Sequence, residues 1–113
     1  VRHAEVYRGS FAISVCPSEN VESPTIVGAQ AANELLNIIG IKASFVLTEY
    51  NDKIYISSRS IDEINVQIIM EKLGGGGHLN VAGAQLEGVT IVQAKRMIQD
   101  TLDEMLKEGD IEE

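Results

Sequence analysis

The stretch Gly74-Gly75-Gly76-Gly77-His78 is the part of this sequence whose residue types and spacing best suit chemistry. A helix end needs one glycine, and each further one costs about 0.5–1 kcal/mol relative to alanine in regular structure. Glycine lets a backbone approach a ligand closely and turn its N–H groups toward an anion as a nest. A histidine beside such a nest donates a hydrogen bond to phosphate and adds a positive charge when protonated. Phosphate binding is therefore favoured over the competing reading, a helix cap followed by a structural loop. Two better-known phosphate motifs do not fit. A P-loop ends in Gly-Lys-Ser/Thr, whereas this run ends in Gly-His. The dinucleotide fingerprint needs a strand before its glycines, and here a helical pattern precedes them.

A second feature is Ser57-Ser58-Arg59-Ser60. Arginine suits forked contacts to phosphate oxygens, and neighbouring hydroxyls add donors. Alone, an arginine after an exposed strand reads as a solvated surface residue; the glycine run gives it weight. The other reactive residue types offer less. Cys16 is the single cysteine, so it has no disulfide or metal partner within the chain and reads as a buried structural thiol. His3 stands near one end without an evident partner. Tyr55 would share a strand face with Arg59, with packing favoured over stacking on a base.

Positioning these residues falls to alternating strands and helices. Val6 to Val15 reads as one strand, with Phe11, Ile13 and Val15 alternating. Ser23-Pro24 signals a helix start, with Val27, Ala31, Leu35 and Ile38 or Ile39 inward and Gly40 closing it after about Ile39. Lys42–Tyr50 and Lys53–Ser58 read as paired strands joined at Asn51-Asp52, with Ile54 and Ile56 toward the core. Asn65 caps a short helix through Leu73, whose stripe is Val66, Ile69, Met70 and Leu73. Gln85-Leu86-Glu87 reads as a strand. Thr90 then caps a last helix to about Lys107, burying Ala94, Met97, Ile98, Thr101, Leu102 and Met105. The expected class is α/β: a mixed sheet, with one evident hairpin and helices packed against it, in a single small domain.

The chain has 113 residues, 44% hydrophobic and 23% charged, which suits one domain with an ordinary core. No apolar run approaches the ~18 residues of a membrane span. Nine Lys and Arg face 17 Asp and Glu, a net charge of −8. Seven acids (Asp100, Asp103, Glu104, Glu108, Asp110, Glu112, Glu113) and one base, Lys107, fall between Asp100 and Glu113, so residues 1–99 carry eight bases against ten acids. An acidic surface argues against long duplex nucleic acid and leaves room for a small phosphorylated ligand in a local pocket.

Gly-Gly-Gly-Gly-His, with Ala82-Gly83 just after and Ser-Arg-Ser upstream, resembles the DHH-associated domain that follows the catalytic Asp-His-His domain in many phosphoesterases. The resemblance spans essentially the whole chain. Met70-Glu71-Lys72-Leu73 through Gln85-Leu86 is most similar to GdpP-type cyclic di-AMP phosphodiesterases of Gram-positive bacteria. Two details depart from many relatives: Leu79 stands where proline follows the histidine, and Val81-Ala82 where two alanines precede the glycine.

The resemblance implies a division of labour. A catalytic domain outside these residues would carry two Mn2+ ions, while this domain would close over the substrate and be inactive alone. No Asp-His-His triplet or Asp-x-Asp pair occurs, so neither a catalytic residue nor a metal site is expected within this chain. By the motif, Gly74, Gly75, Gly76 and Gly77 would present N–H groups to a phosphate. His78 would touch the same phosphate, and Arg59 would clamp it. Ser58 and Ser60 would be secondary donors, and Asn80 would reach the nucleotide. The implied ligand is cyclic di-AMP, hydrolysed to pApA, or a short oligonucleotide. The implied partner is the DHH catalytic domain of a membrane-anchored parent, with this domain on the cytoplasmic side. The first residue, valine, fits an excised part of a larger protein. Three alternatives stay open: an oligoribonuclease or nucleotide phosphatase of the same family, a non-catalytic nucleotide or nucleic-acid binding module, and a homodimer formed through the last helix's apolar stripe.

Overall fold

The computed structural model describes residues 4–16, 24–61 and 64–111; His3, the Ser23 cap and the final two glutamates lie outside them. In chain order the elements are β1 (Glu5–Tyr7), β2 (Phe11–Cys16), α1 (Pro24–Leu35), β3 (Ala43–Tyr50), β4 (Lys53–Ser60), α2 (Val66–Lys72), β5 (Gly76–His78), β6 (Val81–Glu87) and α3 (Ile91–Glu108). The six strands form one mixed sheet in the order β1-β2-β3-β4-β6-β5. Only β2 and β3 run parallel, with α1 making the crossover between them. The α/β class with a mixed sheet and packed helices is the observed one.

Strand alternation sorts the side chains onto two faces. One face carries Phe11, Ile13, Phe45, Leu47, Ile54, Ile56, Ala84 and Leu86 into the main core beneath α2 and α3. The other carries Ala12 and Val46, which α1 covers with Ala31, Ala32 and Leu35. The two helices over this core, α2 and α3, are capped as their sequences predict. Asn65 accepts a hydrogen bond from the Ile68 N–H at the start of α2. Thr90 and Gln93 form a reciprocal capping box on α3. Such a cap contributes about 1 kcal/mol. On α3, Ala94, Ile98, Leu102 and Met105 are fully buried in the chain's own core, while Met97 and Thr101 are half-buried. The stripe therefore packs into the chain's own core.

Three expectations change. Val6 to Val15 is two strands, because Arg8 (φ 53°) and Gly9 (φ 78°) turn the chain and pair Tyr7 with Phe11. The first long helix ends at Leu35, four residues early. Beyond it the bonds tighten to three-residue spacing, such as Leu36 N to Asn33 O and Ile38 N to Leu35 O. Ile38 and Ile39 then face solvent, and Gly40 (φ 91°) closes that turn. Third, the single expected hairpin is one of three among the described residues, the others being β1–β2 and β5–β6. Cys16 is half-buried at the end of β2, beside the smaller cluster.

Polar contacts hold the short β1 and the turn after it to α3: Lys95 Nζ donates to Glu5 Oε1 at 2.6 Å, and a second cluster forms around Asp103. Tyr7 Oη donates to both Asp103 oxygens at 2.8 and 2.9 Å, and Arg8 Nε donates to Oδ1 at 2.6 Å. The Tyr7 hydroxyl first, then the Arg8 guanidinium, hold the Asp103 carboxyl below its usual range. A carboxyl depressed in the folded state adds stability that is fully present above the unfolded pKa of about 4 and is lost as pH falls through the lower folded value. Asp103→Asn should therefore lower stability at neutral pH and flatten the acid limb of a stability-versus-pH curve measured by urea unfolding. An unaltered acid limb would show that the cluster does not bear on stability.

Candidate functional site

Register across three strands decides what can meet on the sheet surface. Arg59 pairs with Val81 on β6, and Val81 pairs with His78 on β5. The three share one face in one row, so the Arg59 and His78 Cα atoms are separated by two strand spacings, about 10 Å. The next row is Ser57, Gly83 and Gly76, and the row after it is Tyr55 and Gln85. This is the α1 side of the sheet. However, α1 packs over β2, β3 and β4, and on β6 the residues of this face, Val81, Gln85 and Glu87, are exposed while Ala82, Ala84 and Leu86 are buried. What remains is an open cleft of about 620 Å³, lined by Tyr55, Ser57, Arg59, the glycine run, His78 and Gln85 among others.

The glycine run is a helix cap followed by a strand. The Gly74 N–H bonds the Glu71 carbonyl at 3.1 Å and the Gly75 N–H bonds the Met70 carbonyl at 2.8 Å, closing α2. Those two amides are thus taken by the helix, which corrects the expected nest of four. Gly76, Gly77 and His78 form β5 against β6. Gly74 has φ +87°, the left-handed conformation glycine adopts without penalty. Gly75 and Gly77 lie against the β6 backbone: an added Cβ would stand 2.0 Å from the Gly83 carbonyl oxygen in the first case and 2.4 Å from that of Val81 in the second. Gly76 differs. It has no positive φ, and an added Cβ would meet nothing within 4 Å. Packing against β6 explains Gly75 and Gly77, the left-handed backbone explains Gly74, and the open floor of the cleft accounts for Gly76.

The expected secondary donors lie elsewhere. Ser58 and Ser60 point to the core face, at 0% and 5% exposure, because they alternate with Ser57 and Arg59 along β4. Ser60 Oγ donates to the Ile64 carbonyl at 2.6 Å and accepts from Asn80 Nδ2 at 2.9 Å. The Asn80 carbonyl accepts from the Ser60 N–H, and that of Leu79 from the Val66 N–H. Ser60 and Asn80 thus fasten the β5–β6 turn to the end of β4 and the start of α2, and so position His78 without lining the cleft. Ser58 does neither.

Arg59 carries the electrostatics. Its Nη1 donates to the Ser58 carbonyl at 2.8 Å, and among the described residues no carboxylate pairs with it. Burial pulls its pKa down from the ordinary value, although a guanidinium stays charged at any working pH. A half-buried cation without a counter-ion is stabilised by an anion docking beside it. His78 is exposed at the other end of the same row.

A family model for the DHHA1 domain matches residues 9–108. The chain belongs to the DHHA1 domain family. It is 46% identical over 104 residues to the cyclic-di-AMP phosphodiesterase PdeA of Listeria monocytogenes, covering 91% of this chain and 16% of that protein. To the cyclic-di-AMP phosphodiesterase GdpP of Bacillus subtilis it is 37% identical over 111 residues, covering 96% and 17%. The chain thus spans about a sixth of the length of these curated relatives. An exopolyphosphatase-related protein from Bacteroides fragilis superposes with a TM-score of 0.80 over 92% of this chain and 32% of its own, at 22% identity, which shows the fold.

In this DHHA1 chain the cleft brings together Arg59, the glycine run and His78, and leaves Ser58, Ser60 and Asn80 outside it. Among the described residues no group of three or more His, Cys, Asp or Glu could hold a metal ion. Two lining residues carried no weight in the sequence. Gln85 was read only as part of a strand, and Ser57 only as the companion of Arg59; strand alternation on β6 was the available signal for Gln85.

The two kinds of glycine make opposite predictions. Gly75→Ala should destabilise by about 1–3 kcal/mol, because backbone must move to admit the methyl group. Gly76→Ala should fold with unchanged or slightly higher stability and weaken binding of a phosphorylated ligand. Thermal unfolding with parallel ligand titration checks both; equal stability losses at the two positions would remove the case for Gly76 as cleft floor.

Proposed function

We propose that this chain is the substrate-binding part of a phosphodiesterase that hydrolyses cyclic di-AMP to pApA. The observation that carries this reading is Arg59, a half-buried cation without a carboxylate partner among the described residues, in one row with His78 across an uncovered cleft. Arginine and histidine some 10 Å apart have side chains long enough to hold one phosphate between them, the arginine by forked hydrogen bonds and the histidine by one more. The similarity to PdeA and GdpP, over nearly the whole of this chain, supports the cyclic dinucleotide as substrate.

Among the described residues no group of His, Cys, Asp or Glu fits the two-manganese centre implied for such enzymes. We therefore assign water activation to a DHH catalytic domain elsewhere in a parent protein, and to this domain the task of binding and orienting the phosphodiester. On this reading the parent is membrane-anchored with the present domain on its cytoplasmic side. No helix among the described residues is long and apolar enough to cross a membrane. The net charge of −8 suits a small anion held locally better than a long polyanion.

Arg59→Gln and His78→Ala in the full-length enzyme should each raise KM for cyclic di-AMP by about tenfold or more, the loss of a charged or near-charged hydrogen bond being about 1.5–3 kcal/mol. The fold should survive, since both side chains lie at the surface of the cleft. Unchanged KM and kcat in both variants would overturn the assignment. A preference for linear dinucleotides over the cyclic one would redirect it to an oligoribonuclease.

A further inference from the structure

The cleft has a second end that the phosphate reading leaves unused. Three same-face rows follow one another along β4 and β6: Arg59 with Val81, then Ser57 with Gly83, then Tyr55 with Gln85. Same-face residues recur about 7 Å apart along a strand, so the first and third rows are separated by about 13 Å. The middle row, continued by Gly76 on β5, contains two glycines and a buried serine and raises no large side chain into the space. A phosphate, a pentose and a planar base laid end to end would follow the same course, with the sugar over the small residues.

Tyr55 and Gln85 face each other as a cross-strand pair at that second end, and both line the cleft. Tyr55 is half-buried and Gln85 is exposed. Among the described residues neither side chain is committed to another hydrogen bond. The tyrosine ring offers a stacking face, and base stacking of this kind is tolerant of base identity. The glutamine amide offers one acceptor and one donor side by side. That pair matches the N6 amino group and N7 of adenine, whereas guanine presents two acceptors, O6 and N7, at the same edge.

We infer that Tyr55 and Gln85 form a nucleobase subsite that selects adenine over guanine. The inference rests on the reading of Arg59 and His78 as the phosphate site, since that end fixes the direction in which the nucleotide lies. Division of roles follows from the chemistry. Tyr55 supplies affinity for any purine, and Gln85 supplies the choice between the two.

The test is calorimetric titration of the full-length protein with ribose 5-phosphate, AMP and GMP. AMP is expected to bind on the order of tenfold more tightly than GMP. Gln85→Ala should bring that ratio close to one. Tyr55→Ala should weaken AMP and GMP alike on the order of tenfold, leave ribose 5-phosphate unchanged, and be rescued by Tyr55→Phe. Equal affinity for AMP and GMP, or a ratio that survives Gln85→Ala, with ribose 5-phosphate still lost on Arg59→Gln, would overturn the base subsite and leave the phosphate site standing. Ribose 5-phosphate binding that is absent, or indifferent to Arg59→Gln, would remove the phosphate reading and the base subsite with it.

Discussion

The close approach of the glycine run to β6 is the constraint on which the rest of the site depends. A Cβ on Gly75 or Gly77 would stand within 2.4 Å of a β6 carbonyl oxygen, so only backbone fits there. That fit lets the chain pass from α2 into β5 with only the three residues Leu73, Gly74 and Gly75 between them. Once β5 is paired, His78 falls opposite Val81, and Val81 is already opposite Arg59. Two residues nineteen positions apart in the chain thereby share one row of the sheet. The Ser60–Asn80 clasp then holds the turn beyond His78 against the end of β4.

The second organising fact is where α1 stops. Gly28 lets that helix lie close to β4, since an added Cβ there would meet Ser57 Oγ at 2.6 Å. The helix covers three strands, and the same face of β6 and β5 is left to solvent. Sheet surfaces normally bury one apolar face, and most residues of this open region are accordingly glycine or polar, Val81 being the apolar exception. The cleft therefore arises from incomplete coverage of a sheet and requires no irregular loop. Its walls are regular strands, and that gives its side chains fixed spacings.

Charge distribution adds a selective element. The chain is strongly acidic overall, and much of that acidity lies on α3 and the tail beyond it. Arg59, by contrast, stands on the α1 side of the sheet, opposite α3. A ligand small enough to fit the cleft meets the local cation, whereas an extended polyanion meets the field of the whole molecule.

Much of the fold was determined by the sequence itself. The Asn51-Asp52 turn, both capped helices, the stripes of α2 and α3, and the alternation of Ile54 and Ile56 all follow from local periodicity and capping chemistry, which act within a few residues. Gly9 as a turn, the early end of α1 and the pairing of β5 depended on neighbours that local patterns do not encode. The glycine-histidine motif and Arg59 marked the site by residue type alone. Which serine would stand beside the arginine was settled by strand alternation against a core: it turned Ser58 and Ser60 inward and left Ser57 on the cleft side. That Tyr55 and Gln85 would meet was settled by the β4–β6 register. Register is a relation between segments distant in sequence. It is fixed by the burial of one whole face of the sheet, so it could be decided only when the tertiary structure formed.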